Sequence, residues 1–111
     1  MDQKKIKTLI ISKEESIKQA MGNLNKTSSK ILLVVENNDK LIGVVTDGDL
    51  RRGIVNSILL SDPVKKVMQE NYYYLNADTT DIPKRAREMM LEKKIEQLPI
   101  LDSSGCIVDI I

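Results

Sequence analysis

The chain has 111 residues, of which 17 are lysine or arginine and 16 are aspartate or glutamate, so its formal net charge is +1. This length suffices for one domain with a modest core of two layers, and the balanced charge excludes a net electrostatic attraction to nucleic acid or to an anionic membrane. The longest apolar run, ILLVV at residues 31–35, is far shorter than the roughly 20 residues that cross a bilayer. These features predict a cytoplasmic protein that binds neither nucleic acid nor membrane.

Residues that usually carry catalysis or bind zinc are scarce. The sequence has no histidine and a single cysteine, Cys106, so it lacks the commonest general base and the usual zinc ligands. We therefore expect no catalytic residue and no metal site. Tyr72, Tyr73 and Tyr74 are the only aromatic residues, and as consecutive residues of an extended segment they would alternate between the faces of a half-buried strand.

The first half of the chain predicts the order strand, helix, strand, strand, helix. The run TLIIS at 8–12 favours a strand, and Ser12 with Glu15 has capping-box spacing, which predicts that a helix begins there. Apolar residues at 17, 20, 21 and 24 then form one helical stripe.

The two following strands and the second helix have equally clear signals. Residues 30–36 and 40–46 are apolar runs on either side of the turn-forming residues 37–39, a pattern typical of a hairpin. After them, Leu50, Ile54 and Ile58 recur at helical spacing.

The second half repeats this order after a connector. Asp62 and Pro63 have the residue types of an N-cap and a first helical residue, which predicts a short helix through Val64, Val67 and Met68. The segment YYYLNA opens the second unit, and QLPIL with CIVDII supplies its hairpin. Between them a helix is predicted to begin near residue 80 and to accept a proline in its first turn. Its apolar face is Ile82, Ala86, Met89 and Met90.

An internal repeat explains this order. Residues 20–45 align without a gap on residues 86–111, with Ala20 on Ala86. The second copy stops at Ile111, the equivalent of Val45, before its closing helix. We therefore expect part of a longer polypeptide, with repeats at 1–61 and 62–111. As the terminus of this chain, the last strand would either expose Ile110 and Ile111 or leave a sheet edge unpaired.

The stretch GVVTDGDLRRG at 43–53 concentrates the chemistry. Asp47 is most simply an N-cap, whereas Asp47 and Asp49 together have the spacing of some Mg²⁺ or Mn²⁺ ligand pairs, a weak signal by itself. The hydroxyl of Thr46 and the free N–H groups of residues 47–50 are placed to face an anion. Arg51 and Arg52 oppose the helix dipole in the first turns, and a bound phosphate would remove that conflict.

These features resemble a known family, the tandem cystathionine β-synthase (CBS) domains. The resemblance rests on GVVTDGDL, on the repeated helix, hairpin and helix, on Leu98-Pro99 at the start of a strand, and on the turn DSSGCIV. It implies an α+β fold of two strand-helix-strand-strand-helix repeats related by a pseudo-twofold axis, with the second repeat truncated. More narrowly, TDGDLRRGI followed by DPVKKVM resembles CBS pairs fused to sugar-phosphate nucleotidyltransferases and sugar-phosphate isomerases. Of these two, a nucleotidyltransferase is the predicted attached domain.

The resemblance also implies a ligand, namely AMP, ADP, ATP or S-adenosylmethionine. Asp49 would bind the ribose diol, because a carboxylate accepts from two adjacent hydroxyls, and Thr46 would hold the phosphate end. The second repeat has Asp109 where the first has Gly43 and carries no Thr-x-x-Asp, so one intact site is expected. For the adenine, the further implied contacts are Ile11, Ser12, Val44 and Val45. Arg51 and Arg52 are either ligand contacts or charges exposed to solvent or an interface.

The predicted function is regulatory. A nucleotide would bind between the repeats and control an attached catalytic domain, and the modules would pair as a homodimer. Two alternatives stay open: a dimerisation module without a ligand, and a catalytic fragment that binds a divalent metal through Asp47 and Asp49.

Overall fold

The computed structural model describes residues 1–111 and contains two three-stranded sheets flanked by helices. The helices are α1 (Gln3–Thr8), α2 (Ile17–Thr27), α3 (Asp47–Val55) and α4 (Ile82–Lys93), with one 3-10 helix (Val64–Lys66) between α3 and α4. The first sheet comprises β1 (Ile10–Ser12), β2 (Ile31–Glu36) and β3 (Lys40–Thr46), and the second β4 (Leu75–Asn76), β5 (Pro99–Leu101) and β6 (Ile107–Ile110). None of the helices has the length and apolar character needed to span a membrane. The predicted α+β class is confirmed.

The two sheets are built in the same way. In each, the first strand pairs parallel with the second and the second pairs antiparallel with the third. The register shifts between Val34 and Val35 in the first sheet and between Ile100 and Leu101 in the second, which are equivalent positions of the gapless alignment. Ala20 and Ala86 are likewise both fully buried. The predicted repeat is therefore present in three dimensions.

The first sheet is covered on both faces, and this explains its continuous apolar strand. Alternate residues of a strand point to opposite faces. Leu32 and Val34 belong to a core with α2 and α3. Leu33, Val44 and Ile110 belong to a second core, shared by the two sheets. A third, smaller core joins α4 to the second sheet.

Backbone hydrogen bonds join the two repeats at the tips of their hairpins. The N–H of Leu41 donates to the carbonyl of Gly105 at 3.0 Å, and the N–H of Ile107 donates to that of Asp39 at 3.3 Å. Residues 37–39 all have positive φ, which confirms the predicted turn. The opposite ends of β2 and β3 lie beside the connector, where the cavity described below is found.

Helix α2 begins four residues later than predicted. Its N-cap is Ser16, whose capping box is completed by Gln19, whereas the Ser12 hydroxyl accepts from the N–H of Glu14 in a tight turn. Residues 13–15 are held by the connector, since the N–H of Val64 donates to the carbonyl of Glu15 at 2.8 Å. The prediction of a capping box at Ser12 was therefore wrong.

The predicted apolar stripe of α2 is confirmed for three of its four members. Ile17, Ala20 and Leu24 are buried, whereas Met21 is 41% exposed.

The connector contains a single 3-10 turn instead of a capped helix. Asp62 does not cap it, because its carboxylate accepts from the N–H of Leu59 at 2.8 Å. This bond, supported by Lys66, lowers the pKa of Asp62. Val64 is fully buried, as its apolar character predicted.

Helix α3 is shorter than its sequence pattern suggested. It ends at Val55, and Ile58 follows Ser57, which has a φ of 71°. Of the predicted stripe, Leu50 is buried, Ile54 is 41% exposed, and Ile58 packs on the same core from outside the helix. The pattern continued past the helix because the chain turns back onto the same core.

Helix α1 was not predicted, and it changes the environment of the last strand. Ile6 of α1 and Ile110 of β6 share one core, in which Ile110 is 1% exposed. The backbone of Ile111 exchanges two hydrogen bonds with Leu98. The predicted exposure was therefore wrong for Ile110, whereas Ile111 keeps 37% of its surface exposed. β6 is an edge strand of its sheet, as the alternative prediction of an unpaired edge stated.

The tyrosines precede a strand and do not form one. β4 begins at Leu75, so Tyr72, Tyr73 and Tyr74 lie in an irregular segment, and their predicted strand alternation was wrong. The Tyr72 hydroxyl donates to the carbonyl of Leu41 at 2.9 Å. This bond ties the start of the second repeat to the first sheet.

Helix α4 follows the prediction closely. It begins at Ile82, accepts Pro83 in its first turn and buries Ala86. Met89 and Met90 pack against the same core.

Candidate functional site

A cavity of about 400 Å³ lies between the two repeats, beside the start of α3. Its wall combines the end of β3, the first turns of α3, the connector and the residues before β5. The lining residues from the first repeat are Lys30, Ile31, Val44, Thr46, Asp47, Gly48 and Arg51, and those from the connector and the second repeat are Gln69, Tyr72, Tyr73, Lys94, Ile95, Glu96, Gln97 and Pro99.

The internal repeat explains part of this wall. Lys30 precedes β2 and Ile31 is its first residue, and the equivalent residues 96–97 lie just before β5. Both pairs line the cavity. The two repeats therefore face each other across it with matching segments.

Thr46 defines where α3 begins. It is the N-cap, with an extended backbone (φ −112°, ψ 167°), and its hydroxyl accepts from the N–H of Asp49 at 3.3 Å while donating to the Asp49 carboxylate at 2.9 Å. The prediction that Asp47 is the N-cap was wrong. Asp47 is the first helical residue, 71% exposed, and its carboxylate lies 3.3 Å from the guanidinium of Arg51.

Asp49 is buried and fully hydrogen-bonded. Its Oδ2 accepts from the N–H and the hydroxyl of Thr46 at 2.8 and 2.9 Å. Its Oδ1 accepts from Arg52 at 2.6 Å and from the amide of Gln69 at 2.7 Å. The side chain is only 5% exposed and does not itself line the cavity, whose wall includes its hydrogen-bond partner Gln69.

The cavity wall is divided by polarity. Lys30, Lys94 and Arg51 supply three positive charges against the two carboxylates of Asp47 and Glu96, and Arg51 is paired with Asp47. Neither lysine forms an ion pair. Gly48, in the first turn of α3, also lies on the wall, where helical N–H groups lack intrahelical partners. These features form a surface that favours anions.

The apolar part of the wall contains Val44, Ile95 and Pro99 together with two tyrosines. Burial, with a smaller contribution from the neighbouring Tyr74, raises the pKa of Tyr72, which keeps its hydroxyl protonated and donating. A planar, partly apolar group would be accommodated on this side of the cavity.

The structure brings together some of the residues predicted from the sequence and separates others. Thr46, Val44 and Arg51 line the cavity. Ile11 and Val45 are buried in the core of the first repeat, and Ser12 ends β1, where its hydroxyl accepts from the N–H of Glu14 in the following turn.

Arg52 projects to a separate surface depression, which it shares with Asp49 and Lys66. Its side chain is 67% exposed, and its guanidinium bonds to Asp49.

Sequence reasoning missed the cavity residues that come from the connector and from the second repeat. These are chiefly Gln69, Tyr72, Tyr73 and Lys94, together with Lys30 before β2. The repeat offset was the available signal, because it superposes 30–31 on 96–97. No sequence pattern pointed to Gln69.

The two aspartates of the DGD motif do not converge. Asp47 pairs with Arg51 and Asp49 bonds to Thr46, Arg52 and Gln69. The chain contains no group of three or more metal-ligating side chains arranged to hold an ion.

Comparison with known proteins agrees with this architecture. The CBS domain family matches residues 5–56 and 64–111. The chain is 34% identical over 90 residues to the arabinose 5-phosphate isomerase GutQ of Salmonella typhi, a match that covers 81% of this chain and 27% of that protein. The chain thus spans about a quarter of the length of this curated relative. Of the two expected classes of attached enzyme, this relative is an isomerase and gives no support to the nucleotidyltransferase.

Two solved structures share the fold. One is CBSX2 in complex with AMP, which is 25% identical, has a TM-score of 0.75, and is matched over 92% of this chain and 78% of that chain. The other is the CBS domain pair of protein MJ0100 in complex with 5′-methylthioadenosine and S-adenosyl-L-methionine, with 20% identity, a TM-score of 0.78 and coverage of 93% and 79%. Two family matches, two similar sheets and one inter-repeat cavity lead to the same conclusion: the chain belongs to the CBS domain family and consists of two CBS domains in tandem.

Proposed function

We propose that this chain is a regulatory module that binds an adenosine nucleotide in the cavity between its repeats. The observation that carries the proposal is the division of the cavity wall. One part offers a helix start with three cationic and two acidic side chains, and the other offers tyrosine rings and apolar side chains. A volume of about 400 Å³ lies within the range of small-molecule sites.

The phosphate end of the nucleotide would lie at the start of α3. There the N–H groups near Gly48 and the guanidinium of Arg51 favour negative charge. Lys30 and Lys94 have no acidic partner to release before they meet a phosphate. With three cationic and two acidic residues on the wall, the excess is one positive charge, carried by lysines without an acidic partner. This excess favours AMP, ADP or ATP over S-adenosylmethionine, whose sulfonium is positive.

The base and the ribose would occupy the remaining wall. Tyr72, Tyr73 and Val44 provide the surface for the adenine ring. Asp49 remains the proposed ribose acceptor, since it lies directly behind the wall. Ile11, Ser12, Val45 and Arg52 receive no ligand contact in this proposal, because their side chains lie outside the cavity.

The controlled partner would be a sugar-phosphate isomerase domain in the same polypeptide. This rests on the similarity to GutQ, because the matched region is only 27% of that protein and the rest of GutQ lies outside it. A nucleotide that binds two conformations of the module with different affinity would shift the equilibrium of the attached domain.

Pairing into a homodimer is the second part of the proposal. The end of α3 and the segment after it expose apolar side chains, with Val55 82% and Leu59 63% exposed. Such residues are common at protein–protein interfaces. Sedimentation of wild type and of Val55→Asp tests this: a dimer that dissociates in the variant supports the proposal, and a wild-type monomer contradicts it.

The deciding experiment is a calorimetric titration with AMP, ADP, ATP, S-adenosylmethionine and Mg²⁺ alone. Lys30→Ala and Lys94→Ala should each weaken nucleotide binding by about tenfold, the effect of losing one charge-assisted contact. Lys26→Ala is the matched control, because Lys26 is exposed on α2 and outside the cavity. At 100 times its dissociation constant, the nucleotide should stabilise the fold by about 2.7 kcal/mol.

Each outcome assigns a function. Binding of Mg²⁺ alone would favour the metal-dependent alternative. Absence of binding by every compound would favour a dimerisation module. Equal loss of affinity in all three lysine variants would mean a general charge effect and would contradict the assignment of the phosphate end to this cavity.

A further inference from the structure

Asp49 is the only charged residue with a buried side chain in the whole chain. Its carboxylate meets four donors, two on each oxygen. The two donors on Oδ2 belong to Thr46 and form the cap of α3, so they are part of the helix start. The two donors on Oδ1 are Arg52 and Gln69, which come from opposite sides.

Gln69 connects this carboxylate to the cavity wall. It lies in the connector, where its backbone is held by a pair of hydrogen bonds with Val44, at 2.8 and 3.0 Å. Gln69 is an exposed residue on the cavity wall, and its amide nitrogen donates to Oδ1 of Asp49 at 2.7 Å. Arg52, the other donor on Oδ1, opens onto a different depression and does not line the cavity.

We infer that Gln69 is an internal competitor for the ribose site, whose amide occupies the acceptor on Asp49 that a ribose hydroxyl would use. The inference rests on the proposed function. A nucleotide can bond to Asp49 only after the Gln69 amide leaves Oδ1. Because the Gln69 backbone is held by Val44 and the residue is exposed, a change of side-chain rotamer achieves this exchange without movement of the connector.

The exchange makes Gln69 a determinant of specificity. A ribose hydroxyl replaces the hydrogen bond that the amide gives up, whereas a ligand without hydroxyls leaves Gln69 in place and gains nothing from Asp49. Removing the amide should therefore strengthen the binding of ribose-containing nucleotides and leave that of dideoxy analogues unchanged.

The test compares wild type, Gln69→Ala and Gln97→Ala. Gln97 lines the same cavity but does not bond to Asp49, so it is the matched control. Each protein is titrated with the nucleotide among AMP, ADP and ATP that wild type binds best, and with its 2′,3′-dideoxy analogue. Gln69→Ala should bind the ribonucleotide about three- to tenfold more tightly, as expected for release from one competing hydrogen bond. Its affinity for the dideoxy analogue should equal that of wild type. For Gln97→Ala, the ratio of the ribonucleotide affinity to the dideoxy affinity should equal the wild-type ratio.

The contrary results are distinct. Weaker ribonucleotide binding by Gln69→Ala would show that the amide contacts the ligand directly, and an unchanged ratio of the two affinities would show that Asp49 does not meet the ribose. Either result overturns the inference and leaves the proposed function standing. If no nucleotide binds to wild type or to any variant, the proposed function fails and the inference fails with it. Should Gln69→Ala not fold, Gln69→Asn is measured instead, because its shorter side chain cannot span the same distance.

Discussion

Replacing Asp49 with alanine should destabilise the first repeat more than replacing Asp47 with alanine. The loss of the cap on α3 costs about 1 kcal/mol. The Gln69 amide loses a bond to a charged acceptor, which is worth about 1.5–3 kcal/mol. The pair with Arg52 adds less than about 1 kcal/mol, since the guanidinium is 67% exposed. Because burying the carboxylate also has a desolvation cost, we expect a net decrease in the free energy of unfolding of about 2–4 kcal/mol.

Urea denaturation followed by circular dichroism measures this decrease, and Asp47→Ala is the matched control. Asp47 is 71% exposed, and its pair with Arg51 is a surface contact, so its removal should change the free energy of unfolding by less than about 1 kcal/mol. If the two variants have equal urea midpoints, or if Asp49→Ala is as stable as wild type, the carboxylate does not make the buried bonds described here. The assignment of Gln69 as its partner would then also be wrong.

Three further predictions concern the helices and the inter-repeat contact. Ser16→Ala should lower the free energy of unfolding by about 1 kcal/mol, whereas Ser12→Ala should change it by less than about 0.5 kcal/mol; equal effects in urea denaturation would contradict the observed start of α2. Ala20→Leu and Ala86→Leu should each cost about 1–3 kcal/mol through overpacking, because both sites are fully buried; a tolerated leucine at either site in thermal denaturation would show that the two cores are not equivalent. Burial raises the pKa of Tyr72 above its unfolded value. The stability contributed by the buried, protonated Tyr72 hydroxyl is therefore complete below about pH 10 and is lost as the pH rises through the folded-state pKa. Tyr72→Phe should therefore show a smaller fall in urea midpoint between about pH 9 and pH 11 than wild type, and an identical fall would exclude this contribution.

The strands and long helices could be predicted because their signals are local. β2 and β3 follow from apolar runs around a turn, and α4 follows from its apolar stripe with Pro83 in the first turn. Helix starts were harder, since several residues nearby can cap. Ser12 and Ser16 are both acceptable N-caps by type, and the choice of Ser16 depends on the connector that holds residues 13–15.

Gly43 illustrates a residue whose role is invisible in the sequence. A Cβ at this position would lie 2.8 Å from the sulfur of Met68 and 3.2 Å from the carbonyl of Gln69. The connector therefore crosses β3 so closely that a side chain at this position would require Met68 and the Gln69 carbonyl to shift. The equivalent residue in β6 is Asp109, whose carboxylate is 41% exposed.

The sequence by itself determined the order of strands and helices, the internal repeat and the place of Thr46 and Asp49 at the end of an apolar strand, and its resemblance to the CBS domains implied the α+β class. The first three depend on periodicity, spacing or residue type that can be read along the chain. Only the tertiary structure decided that Gln69 bonds to Asp49 and that Tyr72 and Lys94 face Thr46 across a cavity. The reason is that such contacts join residues 20 or more positions apart. The packing of the two sheets and the path of the connector decide which of these residues meet. Neither leaves a pattern in a local stretch of sequence.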